Sequence, residues 1–169
     1  MKPMKKMIRL LIKVNKILID ISAKEIWKKE EINLVRKVLT FCYESLSLRE
    51  SFELSVRLTD DKEIMNLNKM YRNKNSPTNV LSFCSQKYNY DKIGFQVLGD
   101  LVISRDTAIK ELKGTKKTLE QHISHLTVHG FLHLLGYIHE DDKEAETMED
   151  LETEILKKLN IPDPYLGIN

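Results

Sequence analysis

The chain has 169 residues, of which 41% are hydrophobic and 31% are charged, and 27 Lys and Arg stand against 25 Asp and Glu. This composition is typical of a globular protein and excludes a disordered chain or a fibre, and two cysteines are too few for a disulfide-rich secreted scaffold. We therefore expect residues 1–169 to form a single domain.

The N-terminal region shows neither a membrane span nor the apolar core of a signal peptide. No stretch approaches the roughly 18 uninterrupted apolar residues of a membrane helix, and Arg9, Lys13 and Lys16 interrupt the first apolar segment. Cys42 and Cys84 are too far apart for a CxxC motif. We expect a cytoplasmic protein that has no membrane partner.

The first 72 residues predict two strand–helix pairs. Apolar and polar residues alternate over 8–14 and again over 52–58, which is the period of a half-buried strand. Between these strands, apolar residues recur at helical spacing from about 28 to 46. Asp60 stands at a capping position and predicts a second helix that reaches residue 71.

Two further strands are predicted in the middle of the chain. The polar loop 73–79 contains a proline, so it ends the preceding helix, and the short β-prone run 80–84 follows it. Residues 85–95 show no period and predict a long connection. The run 97–104 predicts the fourth strand, interrupted by Gly99.

The rest of the chain predicts three helices and a tail. Ser104 caps a short basic helix that ends at Gly114, and Thr118 caps an apolar helix that ends at Gly136. A last helix spans about 143–159. The order β α β α β β α α α is too irregular for a doubly wound fold, so we predict an α+β domain with a mixed four-stranded β-sheet packed with about five α-helices.

Charge is segregated along the chain. Residues 1–37 carry eleven Lys or Arg and four acids, and residues 105–117 carry five Lys or Arg and two acids. Residues 140–158 reverse this balance, with three Lys or Arg and nine acids. One interpretation is a basic face that meets phosphates, with an acidic helix elsewhere. The other is a set of solvated faces in a lysine-rich chain.

All five histidines lie between residues 122 and 139. On a helix His129 and His133 are one turn apart, so one ion can bridge their rings. His139 would lie roughly 9 Å further along if the helix continued. Gly136 can adopt the left-handed conformation that ends a helix, which would return His139 to the same ion.

The spacing HxxxHxxGxxH is that of the metzincin zinc site, in which a glutamate base follows the first histidine. Gly130 occupies that position, which disfavours a metalloprotease. Three imidazoles and an open fourth position are typical of catalytic zinc, which lowers the pKa of a bound water to about 7. Nickel, copper and iron also accept imidazole. We expect His125 to support the ligands or pack, and His122 to face solvent or a neighbouring helix.

The segment from His129 to His139, HGFLHLLGYIH, resembles the signature HGxLHLxGYDH of the YbeY family of bacterial endoribonucleases. The resemblance extends to HLTV before this motif, EDDKEAETMEDLETEIL after it, YRNKNSPTNVLSF from Tyr71 and LGDLVIS from Leu98. It covers most of residues 55–157, while the first fifty residues are similar only in pattern.

The resemblance implies a metal-dependent, single-strand-specific endoribonuclease in ribosomal RNA maturation, notably at the small-subunit 3′ end, and in ribosome quality control. It implies single-stranded RNA, ribosomal RNA and the small ribosomal subunit as partners, with no role for DNA. One zinc ion per chain would be held by His129, His133 and His139. The catalytic residues would be Arg72 and His129, since an arginine can hold a phosphate as its charge grows.

Several residues depart from the family pattern. Asn75, Asn79 and Ile138 stand where acids are usual, and Cys84 replaces a proline. A buried thiol is the expectation for Cys84, with an approach to the metal as the alternative. Asp100 is expected to be structural, or else an acceptor behind a metal ligand. Because these acids are missing, an alternative function remains: a catalytically weak, zinc-stabilised, ribosome-associated binding factor. A metzincin-like metalloprotease is a less favoured alternative.

Overall fold

Five strands form one mixed sheet in the described part of the computed structural model, which covers residues 7–14, 16–85, 94–139 and 141–166. The strands are β1 (Ile8–Val14), β2 (Ile17–Ala23), β3 (Phe52–Thr59), β4 (Val80–Cys84) and β5 (Gln96–Ser104). Their order is β1-β2-β3-β5-β4, with β3 parallel to both neighbours and both edge strands antiparallel. The α+β class and the mixed sheet are confirmed, and the count of four strands is wrong.

The missing strand is β2, which follows β1 closely in sequence. Ile17, Ile19, Ile21 and Ala23 are all buried, so the period of two is present. Residues 15 and 16 carry none of the glycine-containing pairs that mark a two-residue hairpin turn, so the sequence did not separate β2 from β1.

The predicted helices are all present: α1 (Lys29–Ser45), α2 (Asp61–Arg72), α3 (Arg105–Glu111), α4 (Leu119–Leu134) and α5 (Asp142–Lys158). The predicted caps hold, because side-chain oxygens of Asp60, Ser104 and Thr118 each accept a hydrogen bond from the backbone N–H three residues on. Most of the predicted connection 85–95 lies outside the described residues.

The two faces of the sheet are covered differently. In β2 and β3 the buried residues pair in register, Ile19 with Leu54 and Ile21 with Val56, and face a core shared with α1 and α4. On the opposite face α2 packs on the β4–β5 side, where Ile64 is buried with Leu81 and Val102. Helix α5 packs against α4. No helix in the described ranges is long and apolar enough to cross a membrane.

Candidate metal centre

Helix α4 ends in a chain reversal centred on Gly136. The glycine adopts φ +94°, its N–H donates to the carbonyl oxygen of His133 at 2.9 Å, and the N–H of Tyr137 donates to the carbonyl oxygen of Leu132 at 3.1 Å. These two bonds form a Schellman motif, which satisfies the last carbonyls of a helix. The following residues therefore turn back toward the last turn of α4.

The reversal brings three imidazoles together. Ring centroids lie 4.5 Å apart for His129 and His133, 4.9 Å for His133 and His139, and 5.7 Å for His129 and His139. One nitrogen from each ring lies within 4.8 Å of the other two. The structure thus places the three histidines predicted as ligands around one point.

Hydrogen bonds at the back of two rings orient their nitrogens. Nδ1 of His129 lies 2.6 Å from Oε1 of Glu152, and Nδ1 of His133 lies 2.9 Å from the carbonyl oxygen of Tyr137. Both partners are acceptors, so we assign the proton to Nδ1 and the free lone pair to Nε2. Burial, together with the charges of His129 and His139, lowers the pKa of His133, which favours the neutral form that binds metals.

The spacing of the nitrogens fits a metal ion. The Nε2 atoms of His129 and His133 are 3.1 Å apart. Two nitrogens bound at about 2.0–2.1 Å to a tetrahedral ion would be about 3.3 Å apart. The donor set, its spacing and the acceptors behind it are those of a site that could hold a first-row divalent ion.

Glu152 of α5 is the acceptor that connects these rings to the core. Its side chain is fully buried, and it also contacts Nε2 of His125 at 3.1 Å and accepts a hydrogen bond from the hydroxyl of Tyr165. Burial alone would raise the pKa of this carboxyl, but the hydrogen bonds from His125, His129 and Tyr165 outweigh it and lower the pKa to about 2. The carboxylate is therefore ionised and holds His129 in place.

Sequence reasoning missed both Glu152 and Tyr165. The signal for Glu152 was its position on the apolar stripe of α5, four residues after Met148 and three before Ile155, all of which are buried. A carboxylate on a buried stripe needs partners. Tyr165 lies in the segment predicted as a tail after the last helix, where only contacts distant in sequence reveal its role.

The two remaining histidines lie where the sequence placed them. His125 contacts Glu152, one step behind His129. His122 lies against α3, where its Nε2 is 2.6 Å from a carboxylate oxygen of Glu111. Glu111 in turn accepts hydrogen bonds from the side-chain amide of Asn79. The side-chain amide of Asn79 is thus engaged by Glu111, and Ile138 is exposed.

Arg72 is the last residue of α2, on the sheet face opposite α4. The ring of Tyr71 packs on Phe83 at 5.0 Å between centroids, and the next residue, Cys84, reaches α4 through its thiol, 3.1 Å from the carbonyl oxygen of His133. The end of α2 and the last turn of α4 therefore both contact the C-terminal end of β4. The side chain of Arg72 is exposed, and among the described residues it contacts none of the three rings.

The expectation for Cys84 needs correction, and Asp100 does not take the alternative role of an acceptor behind a metal ligand. Cys84 is exposed, since it ends an edge strand, so the predicted burial of its thiol is wrong. Its thiol is not among the ligand atoms that converge, which belong to histidines of α4, His139 and Glu152. Asp100 lies in the middle of β5 and is exposed beside Val102, on the face away from α4, so it supports none of the three rings.

Gly130 follows His129 and packs directly on the sheet. A Cβ atom at this position would lie 2.2 Å from Cδ1 of Leu101 and 3.2 Å from Oγ of Ser82. A side chain at this position requires Leu101 to shift, so the glutamate base of the protease signature would disturb the packing of α4 on the sheet. The structure therefore agrees with the sequence in disfavouring a metalloprotease, because a glycine stands where that class needs its glutamate base.

Comparisons with known proteins agree with the resemblance. The family described as Endoribonuclease YbeY matches residues 17–160, so the match begins well before the segments that carried the resemblance. The chain is 42% identical over 157 residues to the Endoribonuclease YbeY of Bartonella quintana, covering 90% of this chain and 99% of the relative. It is 49% identical over 121 residues to the Endoribonuclease YbeY of Dichelobacter nodosus, covering 71% of this chain and 76% of the relative.

A solved structure supports the fold. The solution structure of a Thermotoga maritima protein superposes with a TM-score of 0.52 at 21% identity, covering 89% of this chain and 99% of that chain. The family match spans most of the sequence, and it includes the residues from which the three-histidine centre is built. The chain belongs to the YbeY family of endoribonucleases.

Proposed function

We propose that this protein is a zinc-dependent endoribonuclease that cleaves single-stranded RNA in ribosomal RNA maturation, at the small-subunit 3′ end, and in ribosome quality control. Residues 1–169 act as one domain in the cytoplasm, with ribosomal RNA and the small ribosomal subunit as partners. The observation that carries the proposal is the convergence of three imidazole nitrogens within 4.8 Å, in a chain of this family.

In this proposal His129, His133 and His139 hold one zinc ion. The bound ion supplies Lewis acidity at a phosphoryl oxygen and lowers the pKa of water. Glu152 and the carbonyl oxygen of Tyr137 fix the orientation of two of the rings, so their nitrogens need no reorganisation when the substrate binds.

Arg72 is the proposed phosphate-binding group. A guanidinium donates two parallel hydrogen bonds to phosphate oxygens, and it binds more strongly as charge develops on them in the transition state. Arg72 is exposed at the end of α2, next to Tyr71, which packs on Phe83 of β4, so it is accessible to a strand of RNA. His129 acts in catalysis only through the ion that it helps to hold.

Ion pairs limit the basic surface that can guide RNA. Two arginines of the segments predicted as a basic face already bind acids: Arg9 pairs with Asp20 and Arg105 with Glu31. Lys24 and Lys110 are also paired with carboxylates. We infer that Arg72 and the lysines beside it, Lys69 and Lys74, which are exposed, contact the RNA backbone.

The test measures metal content and cleavage of a single-stranded RNA for the native protein, His133→Ala and Arg72→Ala. The control is Arg49→Ala, which removes an exposed arginine outside the candidate site. We expect His133→Ala to lose both properties. Arg72→Ala should keep the metal and lose about 10²- to 10³-fold in rate. Full cleavage by Arg72→Ala would refute the arginine's role, and native protein that binds metal and ribosomal subunits without cleaving RNA would indicate the binding factor.

A further inference from the structure

A cavity of about 340 Å³ opens between α4 and α5 beside the candidate metal centre. The rings of His129 and His139 form part of its wall, so whatever occupies it lies next to the metal. Its volume is at the low end of the range for small-molecule pockets, about 300–1,000 Å³. The cavity can therefore receive one group of nucleoside size.

The floor and walls of this cavity are apolar and aromatic. Leu126, Ala145 and Met148 contribute aliphatic surface, and the rings of His125 and Tyr165 stand edge to face with centroids 5.6 Å apart. Nε2 of His125 and the hydroxyl of Tyr165 already contact Glu152, so these two polar atoms are engaged and the ring faces and edges supply apolar surface. Such a lining suits a flat, weakly polar group.

The charged groups around the cavity select against phosphate. Its described lining contains no lysine or arginine but includes two carboxylates, the buried Glu152 and the exposed Glu149. A carboxylate repels phosphate oxygens and accepts hydrogen bonds from N–H groups. Of the parts of an RNA strand, the base alone is flat, uncharged and a donor of N–H hydrogen bonds.

We propose that this cavity is a base pocket, which takes an unpaired base of a nucleotide next to the phosphodiester that is cleaved. Glu149 at its rim accepts a hydrogen bond from an exocyclic amino group, so adenine, cytosine and guanine bind in preference to uracil. A base that is paired in a duplex cannot enter, which gives a physical reason for single-strand specificity. This inference rests on the proposed function.

The metal centre then lies between two RNA-binding features. The base pocket extends along α4 from His129 toward His122. At the C-terminal end of β4, Cys84 contacts the backbone of His133, and Tyr71, the neighbour of Arg72, packs on Phe83. A strand with one base in the pocket would place its adjoining phosphate at the imidazoles and continue toward Arg72.

The first test removes the base instead of changing the protein. The cleaved bond is mapped in a single-stranded oligonucleotide, and an abasic nucleotide is then placed at each flanking position in turn. We expect one position at which the native rate falls about 5- to 100-fold, the range of one lost base contact. Equal rates at every position would overturn the base pocket while leaving the endoribonuclease intact; no cleavage of any RNA would overturn the proposed function itself.

The second test fills the cavity. Ala145→Trp should keep its metal content, lose about 5- to 100-fold on the intact oligonucleotide and respond no further to the abasic position. Thr147→Trp, at an exposed position of the same helix outside the cavity, should behave as the native protein. If Ala145→Trp fails to fold, Glu149→Leu, which has no acceptor oxygen, decides. Loss of the preference for amino-bearing bases supports the pocket, and an unchanged preference refutes it.

Discussion

Oε1 of Glu152 lies 2.6 Å from Nδ1 of His129, and this contact joins α5 to the candidate metal centre on α4. Glu152→Gln keeps an acceptor oxygen but removes the charge, so His129 becomes a weaker and less oriented ligand. We expect metal affinity to fall about 10- to 100-fold, measured by competition with a chromogenic chelator. Glu154→Gln, an exposed neighbour on α5, is the control; equal affinities for the two variants would show that Glu152 does not support the site.

Gly136 provides a second test of how the centre is assembled. A Cβ at this position would meet nothing within 4 Å, so the cost of a substitution comes from the backbone alone, at φ +94°. Gly136→Ala should lower the free energy of unfolding by about 1–3 kcal/mol in urea titrations and weaken metal binding, because His139 follows the reversal. Gly136→Asn should cost less, since asparagine tolerates left-handed backbone. Identical losses would contradict this explanation.

Gly130 tests the close contact of α4 with the sheet. Gly130→Ala places a methyl group against Leu101 and should lower the free energy of unfolding by about 1–3 kcal/mol, partly offset by up to about 1 kcal/mol of gained helix propensity. Adding Leu101→Ala should relieve the clash, so the double variant should lose less than the sum of the two single variants. Simple additivity would mean that this contact is absent.

The pH dependence of stability should reflect the ion pair of Glu63 with Arg57. Hydrogen bonds from Arg57, and then from Lys24, outweigh burial and lower the pKa of Glu63 to about 2. In the unfolded chain a glutamate has a pKa of about 4.3. The depressed pKa stabilises the fold above that value, and this stabilisation is lost as the pH falls from about 4.5 toward 2.

Glu63→Gln should remove that part of the acid sensitivity. We expect the native protein to lose roughly 1–2 kcal/mol more than the variant between pH 5 and pH 2, measured by urea unfolding at each pH. Glu44→Gln, at an exposed position on α1, is the control and should follow the native curve. Parallel curves for the native protein and Glu63→Gln would refute the assignment.

Features fixed by neighbouring residues could be predicted from the sequence. The caps at Asp60, Ser104 and Thr118 and the reversal at Gly136 depend on residues within a few positions, and each is present. The convergence of the three imidazoles follows from helix geometry and that reversal, so it too was visible in the spacing. Their role as ligands stays a prediction, as does the role of Arg72.

Features fixed by distant residues could not be predicted. Glu152 lies 23 positions from His129, and the acidic composition of its helix concealed the one carboxylate that turns inward. Tyr165 reaches the same carboxylate from beyond the last helix. The pairing of Arg105 with Glu31, 74 positions apart, removed a charge that the sequence had assigned to a basic face. In each case the partner is chosen by tertiary packing, which has no local signature.

The three imidazoles occupy only eleven consecutive residues, 129–139, and this sets the order of assembly. In the unfolded chain these histidines stay close together, so the unfolded state also binds the ion. Binding to the unfolded state reduces the amount by which the ion raises the free energy of unfolding. The apolar core is complete without it. We therefore expect the polypeptide to fold without the metal and to bind the ion at a site that is already formed. Zinc fingers differ, because they fold only when the metal is bound.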